Sequence, residues 1–193
     1  PIHNASHTRD RRTSPPNSRC YPHTREGFIK KTLSWVKSRS LTSQPHVLWL
    51  YGYVGCGKSA IAQTIAERVA KRGRLAGSFF CFRAGGDRGR IARLPTTLAY
   101  QLSLSIPGTA SIIKKAVKAD PGLLLPEVVS ITTQMRRLVY DPVKRTVSIA
   151  STLSKGPYLI IIDGLDECKD REMVEDLIAG MLSYFQENPD VPL

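Results

Sequence analysis

The sequence contains no long hydrophobic run. Its apolar stretches are only as long as a β-strand, whereas a membrane-spanning helix needs ~20 consecutive apolar residues. The N-terminus is polar and lacks the apolar core of a secretory signal. We therefore expect a soluble, cytoplasmic protein with no membrane span.

Cysteine is scarce and widely spaced. The chain has 4 cysteines among 193 residues and no Cys-x-x-Cys pair, which argues against a zinc motif and against a disulfide framework. We expect reduced thiols at all four positions, Cys20, Cys56, Cys81 and Cys168.

Acidic residues are few relative to basic ones. The chain has 28 Lys and Arg against 16 Asp and Glu, a net charge of +12, which suits a polyanionic partner. The basic residues are nevertheless spread along the chain. The densest basic segment, 83–93, contains no aromatic side chain that could stack on a base. It could contact RNA, lipid headgroups or an acidic partner, but we do not expect nucleic acid to be the main partner.

What the sequence does contain is a glycine-rich loop set between strand and helix patterns. Residues 52–59, GYVGCGKS, match the P-loop pattern G-x-x-x-x-G-K-[ST] at every fixed position. The apolar run 47–51 before it predicts a buried parallel strand, and the spacing of Ile61, Ile65 and Val69 predicts a helix after it. This order is the one that a phosphate-binding loop requires.

The residue types of this loop predict the chemistry of a nucleotide site. Glycines let successive backbone N–H groups point at one anion, and a helix N-terminus favours negative charge. Lys58 would reach the β- and γ-phosphates, and the Ser59 hydroxyl would ligate Mg²⁺. The predicted nucleotide-binding residues are Gly52, Tyr53, Val54, Gly55, Cys56, Gly57, Lys58, Ser59 and Ala60.

A second motif lies near the C-terminal end of the chain. Residues 158–162 form an apolar run that ends in Asp163. A buried strand that delivers a carboxylate at its C-terminal end is the Walker B arrangement, whose Asp orients the Mg²⁺ shell. Because ligands of open α/β sheets bind beyond the carboxyl ends of the strands, we expect Asp163 and the P-loop to share one crevice.

The residues after Asp163 point to a family. The stretch 163–168, DGLDEC, places an acidic pair two residues beyond a small one, and in this it resembles the NACHT-type Walker B motif. With segments 52–66, 77–83 and 98–102, the chain resembles the NACHT domains of STAND-class P-loop NTPases, particularly the fungal NLR-like proteins, also described as nephrocystin-3-like. The resemblance extends from Cys20 to Leu193.

The resemblance implies both a function and further site residues. It implies ATP and Mg²⁺ as ligands, slow hydrolysis used as a signalling switch, and self-oligomerisation of the full-length protein. It implies that Thr24 and Arg25 lie near the adenine and that Asp163 holds the metal. Asp166 and Glu167 are candidates to orient or deprotonate the attacking water, and their spacing does not decide between them.

The pattern along the chain predicts one domain. We expect a disordered linker over residues 1–18, which have almost no apolar content, and a NACHT-like domain over 19–193. The expected fold is a three-layer α/β/α P-loop NTPase with a parallel sheet. Helices are predicted at about 25–39, 58–72, 94–105, 111–119, 126–140, 143–150 and 174–185, and strands at 47–51, 75–82 and 158–162.

The resemblance also implies an incomplete sheet. In that class the strand after the Walker B unit inserts between the P-loop strand and the Walker B strand, and residues 190–193 stand where it would begin. We expect unpaired strand edges to face each other across a gap or to collapse together. The chain starts without Met, and we expect it to be part of a longer protein.

Two alternatives to a signalling NTPase stay open. A P-loop small-molecule kinase would need a lid that carries arginines, and the Asp166-Glu167 pair is not typical of that class. The other alternative is a non-catalytic fragment with weak or no nucleotide binding. A GTPase fits less well, because no Asn-Lys-x-Asp motif occurs.

Overall fold

The computed structural model describes residues 1–8, 18–38, 45–148, 152 and 155–193. The helices are α1 Glu26–Ser38, α2 Lys58–Ala70, α3 Leu94–Ser105, α4 Thr109–Ala119, α5 Ile131–Met135, α6 Asp141–Thr146 and α7 Arg171–Glu187. The strands are β1 Leu75–Phe80 and β2 Leu159–Asp163. No helix in these ranges has both the length and the apolar character needed to cross a bilayer.

The two strands form a parallel sheet that is covered by helices on both faces. Register runs from Leu75 opposite Leu159 to Phe80 opposite Asp163. Side chains of β2 alternate between two apolar clusters, as the period of a strand requires. Leu159 and Ile161 pack against a cluster formed by α1, α2 and Leu75. Ile160 and Ile162 pack against the larger core of α3, α5 and α7. The predicted α/β class and parallel sheet are confirmed.

Side chains of α3 cover the outer edge of β1. The Gln101 amide accepts a hydrogen bond from the Ser78 backbone N–H at 2.9 Å and donates one to the Ser78 carbonyl at 2.9 Å. Two residues before Ser78 in β1, the Ala76 carbonyl accepts a hydrogen bond from Ser105 Oγ at 2.9 Å. Because exposed strand edges invite further pairing, Gln101 closes this side of the sheet as a neighbouring strand would.

The strand predicted at 47–51 is the clearest error. These residues belong to neither a helix nor a strand, and the side chains of Trp49 and Tyr51 are 55% and 82% exposed. A strand exists only with a hydrogen-bonded neighbour, and here the segment and β2 both line a cavity of 590 Å³ instead of pairing with each other.

The helices predicted at 126–140 and 143–150 form one continuous run over 131–146. The run begins at Ile131, after the Ser130 hydroxyl accepts from the Thr133 N–H. Residues 136–140 form a π-turn in which the Asp141 N–H bonds the Arg136 carbonyl. The wider turn lets Pro142, which has no N–H, follow without ending the helix. Residues 149–150 of the second prediction lie outside the described part of the chain.

The first eight residues pack against the domain, where we expected a disordered linker. Ala5 is 0% exposed, and Ile2 lies against the same core. The Ile2 and His7 N–H groups donate to the Thr97 and Ser78 hydroxyls at 2.9 Å each. Because only Ile2 and Ala5 are apolar in this stretch, its composition does not predict the contact. Residues 9–17 of the expected linker are outside the described ranges.

Candidate functional site

The glycine-rich loop has two glycines in the left-handed region and leads directly into a helix. Gly55 and Gly57 have φ angles of 79° and 90°, a region that costs most other residues strain. Gly57 is also the N-cap of α2, so the loop leads directly into the first turn of that helix. At Gly52 an added Cβ would lie 3.0 Å from Cys56 Sγ. These three glycines allow the chain to curl tightly.

The side chain of Lys58 lies back across this loop. Its ammonium donates hydrogen bonds to the Gly52 and Tyr53 carbonyls at 2.9 and 3.1 Å. Tyr53 and Val54 at the loop tip are almost fully exposed. Ser59 and Ala60 follow in the first turn of α2, where Ser59 is exposed. A cation and a helix N-terminus therefore face one accessible loop.

The Thr24-Arg25 pair precedes α1 and reaches the same loop. The Thr24 hydroxyl donates to the Tyr21 carbonyl at 2.6 Å, which holds a turn. Arg25 has a left-handed φ of 57°, and its guanidinium donates to the Cys56 carbonyl at 3.2 Å. The turn thus places a second cationic side chain against the glycine-rich loop.

The acidic residues follow the carboxyl end of β2. Asp163 is the last residue of the strand, Gly164 turns the chain with a φ of 73°, and Leu165–Glu167 form a short 3-10 turn. An added Cβ on Gly164 would lie 3.0 Å from the Cys81 carbonyl oxygen. This close approach packs the acidic turn against the end of β1.

The two acidic candidates have different surroundings. Asp166 is exposed and lines the same cavity as Lys58 and Asp163. Glu167 turns towards the residues after β1, where its Oε2 accepts a hydrogen bond from the Arg83 N–H at 3.2 Å. The structure therefore brings Asp166 to the cavity and ties Glu167 to the neighbouring loop.

The cavity links the loop and the acidic turn. Its volume is 590 Å³, and its lining includes residues 46–52, β2 and side chains of α1 and α7. Lys58, Asp163 and Asp166 are its charged lining residues, and most of the others, such as Phe185, are apolar. Lys58 and Asp163 therefore line one cavity, although they come from distant parts of the sequence.

The far end of the cavity is closed by contacts near the C-terminal residues. The His46 ring stacks on Phe185 with centroids 4.5 Å apart, and its nitrogens lie 2.9 Å from the Leu193 oxygen and 3.0 Å from the Pro189 oxygen. Tyr158 N–H donates to the Pro192 carbonyl at 2.9 Å. Residues 189–193 thus lie beside the first residues of β2.

Two cysteines meet beneath the acidic turn. Cys168 and Cys81 are buried free thiols whose sulfur atoms are 2.8 Å apart. The hydrogen bond with Cys168, together with burial, raises the pKa of Cys81, and the same hydrogen bond lowers the pKa of Cys168. The sequence predicted reduced thiols at these positions but gave no sign that they would be neighbours.

Comparison with known proteins identifies the family of this chain. A family model described as nephrocystin 3, N-terminal, matches residues 23–191. The chain belongs to this nephrocystin-3 N-terminal family. No curated protein and no solved structure matches the chain. The match covers Arg25, the glycine-rich loop and the acidic turn, and it leaves out the first eight residues of the chain.

In this member of the nephrocystin-3 N-terminal family, only some of the predicted site residues line the cavity: Gly52, Lys58, Asp163 and Asp166 do. Thr24, residues 53–57, Ser59 and Ala60 are not part of its lining. Arg25 contacts the loop from outside, while Glu167 bonds elsewhere. No sequence signal indicated the apolar cavity wall that contains Tyr140 and Phe185, because these residues gather only in the folded chain. The ligand roles themselves stay predictions.

Proposed function

We propose that this domain binds ATP with Mg²⁺ and hydrolyses it slowly, as the nucleotide switch of a NACHT-type STAND protein. The observation that carries the proposal is the shared cavity of the Lys58 ammonium and the Asp163 carboxylate. A triphosphate with its metal requires a cation and a metal-binding carboxylate on opposite sides of one site.

The residues present fit these two ligands. Loop N–H groups and the α2 N-terminus suit phosphate oxygens. The Lys58 ammonium is held by two backbone carbonyls, which are weaker partners than a phosphate. Ser59 and Asp163 offer the oxygen ligands that Mg²⁺ prefers, and Mg²⁺ is usually held by one or two carboxylates plus substrate phosphates. No cluster of three or more His, Cys, Asp or Glu suited to a metal occurs in the described ranges.

Bound Mg²⁺ would neutralise charge that develops on the phosphates. The chain's own residues supply position and proton transfer. Lys58 binds the phosphates, Arg25 orders the loop through the Cys56 carbonyl, and Asp166, in the cavity, orients the attacking water. Glu167 positions the turn through its bond to the Arg83 N–H. This assignment favours Asp166 of the two candidates.

We further propose that the complete fold is a P-loop NTPase sheet with one more strand in the gap beside β2. Two contrasting edges support this. The outer edge of β1 is closed by Gln101 and Ser105, whereas the other side of β2 faces the cavity and then residues 47–51. The bond from the Tyr158 N–H to the Pro192 carbonyl supports a strand that starts there.

Hydrolysis by two single variants tests the catalytic roles. Asp166→Asn should lower the ATP turnover rate by about 100-fold, the range for loss of a general base, with little change in ATP affinity. Glu167→Gln should lower it less, because its carboxylate is tied to a backbone amide. A phosphate-release assay beside a fluorescent-ATP titration measures both. A larger loss of turnover in Glu167→Gln than in Asp166→Asn would mean that Glu167, and not Asp166, orients the attacking water.

The same assays separate the alternative functions. Turnover that depends on an added phosphoacceptor would favour a small-molecule kinase. Segment 47–51 is not part of a strand, and Trp49 and Tyr51 are exposed. This favours the alternative in which the chain binds nucleotide only when further residues complete the sheet. The titration is therefore run on this chain and on one extended past Leu193. Tight binding by the longer chain alone would mean that residues 1–193 are a non-catalytic part.

A further inference from the structure

The pair of buried thiols beneath the acidic turn has no role in the proposed function. Cys81 follows β1 directly, and Cys168 follows the turn Leu165–Glu167. Their sulfur atoms are 2.8 Å apart, a direct contact that is longer than the ~2.05 Å of a disulfide bond. The other two cysteines, Cys20 and Cys56, are half-buried.

Backbone contacts hold the two cysteines in place. The Cys81 N–H donates to the Asp163 carbonyl at 2.9 Å, and the Cys168 N–H donates to the Leu165 carbonyl at 3.2 Å. The Lys169 N–H donates to the Gly89 carbonyl at 3.0 Å. Because the segments around both sulfurs are fixed to each other, a bond between the sulfurs needs little movement of the chain.

We propose that Cys81 and Cys168 form a peroxide-sensitive dithiol, a modification site at which hydrogen peroxide converts the two thiols into a disulfide. One thiol reduces the peroxide O–O bond and becomes a sulfenic acid, with release of one water. The partner thiol then attacks that sulfur, the S–S bond forms, and a second water leaves. Peroxide is reduced to two waters, and the two thiols are oxidised by two electrons in total.

Both thiols are buried, Cys168 at 3% and Cys81 at 6% exposure, so hydrogen peroxide reaches them when the surrounding turn opens locally. Once the first thiol is oxidised, its partner is already within reach, so disulfide formation competes well with further oxidation to sulfinic acid. The bond would fix the turn that carries Asp166 and Glu167 to the end of β1.

The test uses variants that isolate the pair. In Cys20→Ser/Cys56→Ser, the reduced chain is treated with hydrogen peroxide, quenched with catalase, unfolded and alkylated with N-ethylmaleimide. We expect a mass lower by two hydrogens, no alkylation, a peptide that joins Cys81 to Cys168, and recovery of both thiols with dithiothreitol. Loop closure over this length should raise Tm by about 5 °C or more.

The matched control adds Cys81→Ser to the same background. It should form no intramolecular disulfide and show no rise in Tm after peroxide. If both thiols of the pair variant are still alkylated, if they carry only sulfinic acid, or if the disulfide joins two chains, the proposal is wrong. Nucleotide is absent throughout, so this result is independent of the proposed function.

Discussion

At the scale of single residues, two neighbouring tyrosines show how much a buried hydroxyl depends on its partner. The Tyr140 and Tyr184 rings lie 4.7 Å apart, and both residues are buried. The Tyr184 hydroxyl donates to Asp141 Oδ1 at 3.0 Å. The Tyr140 hydroxyl has no hydrogen-bond partner in the described part of the chain. Burial raises the pKa of both tyrosines.

The two tyrosines therefore respond oppositely to the same substitution. Tyr140→Phe removes an unpaired buried hydroxyl and should raise the free energy of unfolding by up to about 1 kcal/mol. Tyr184→Phe removes a bond to a carboxylate and should lower it by about 1–2 kcal/mol. Urea unfolding measures both, and each variant is the control for the other. Equal losses would show that Tyr140 has a partner in solution.

At the scale of elements, local motifs were predictable, whereas the pairing and packing between distant elements mostly were not. The glycine-rich loop, α2 and β2 with Asp163 follow from a few adjacent residues, so their order was clear from the sequence. The segment 47–51 has the residue pattern of a strand but no neighbouring strand to pair with. The pattern of a segment does not show whether such a neighbour exists. The π-turn before Pro142 kept a helix going where proline predicts a break.

The closure of β1 by Gln101 was invisible in the sequence and is testable. Gln101→Met keeps the side-chain length but leaves the Ser78 N–H and carbonyl without the Gln101 amide. Two backbone groups on a buried strand lose a partner, so the free energy of unfolding should fall by about 2–4 kcal/mol.

The matched control for this prediction is Gln186→Met, the same chemical change at an exposed position of α7. Its effect should stay within about 0.5 kcal/mol. Both are measured by chemical denaturation at the same protein concentration. A loss in Gln101→Met no larger than the control would mean that water replaces the amide at the strand edge.

The first eight residues behave as a docked element in the structure. Ala5→Glu would place a charge at a fully buried position and should release the segment, because burying an unpaired charge costs more than such a contact returns. We expect the His7 amide, bonded to the Ser78 hydroxyl, to lose its protection from hydrogen exchange. Asn4→Glu, on an exposed residue of the same turn, should keep it. Equal exchange in both variants would contradict docking.

At the scale of the whole molecule, candidate site residues from distant parts of the sequence lie together at one end of the sheet. The glycine-rich loop precedes α2 and the acidic turn follows β2, yet Lys58 and Asp163 line a single cavity. The sequence predicted this meeting because ligands of parallel α/β sheets gather at the carboxyl ends of the strands. The apolar part of the cavity lining and the position of Asp166 in the cavity could not be predicted from the sequence and are seen only in the folded chain.

The most direct measurement is calorimetric titration of ATP, with and without Mg²⁺, into the chain extended past Leu193. Lys58→Ala should weaken binding by about 100-fold, because a charged phosphate contact is lost; Lys71→Ala, on an exposed lysine after α2, should leave it unchanged. Asp163→Asn should remove the gain in affinity that Mg²⁺ gives. If Lys58→Ala and Asp163→Asn both bind MgATP as the unaltered chain does, the cavity is not a nucleotide site.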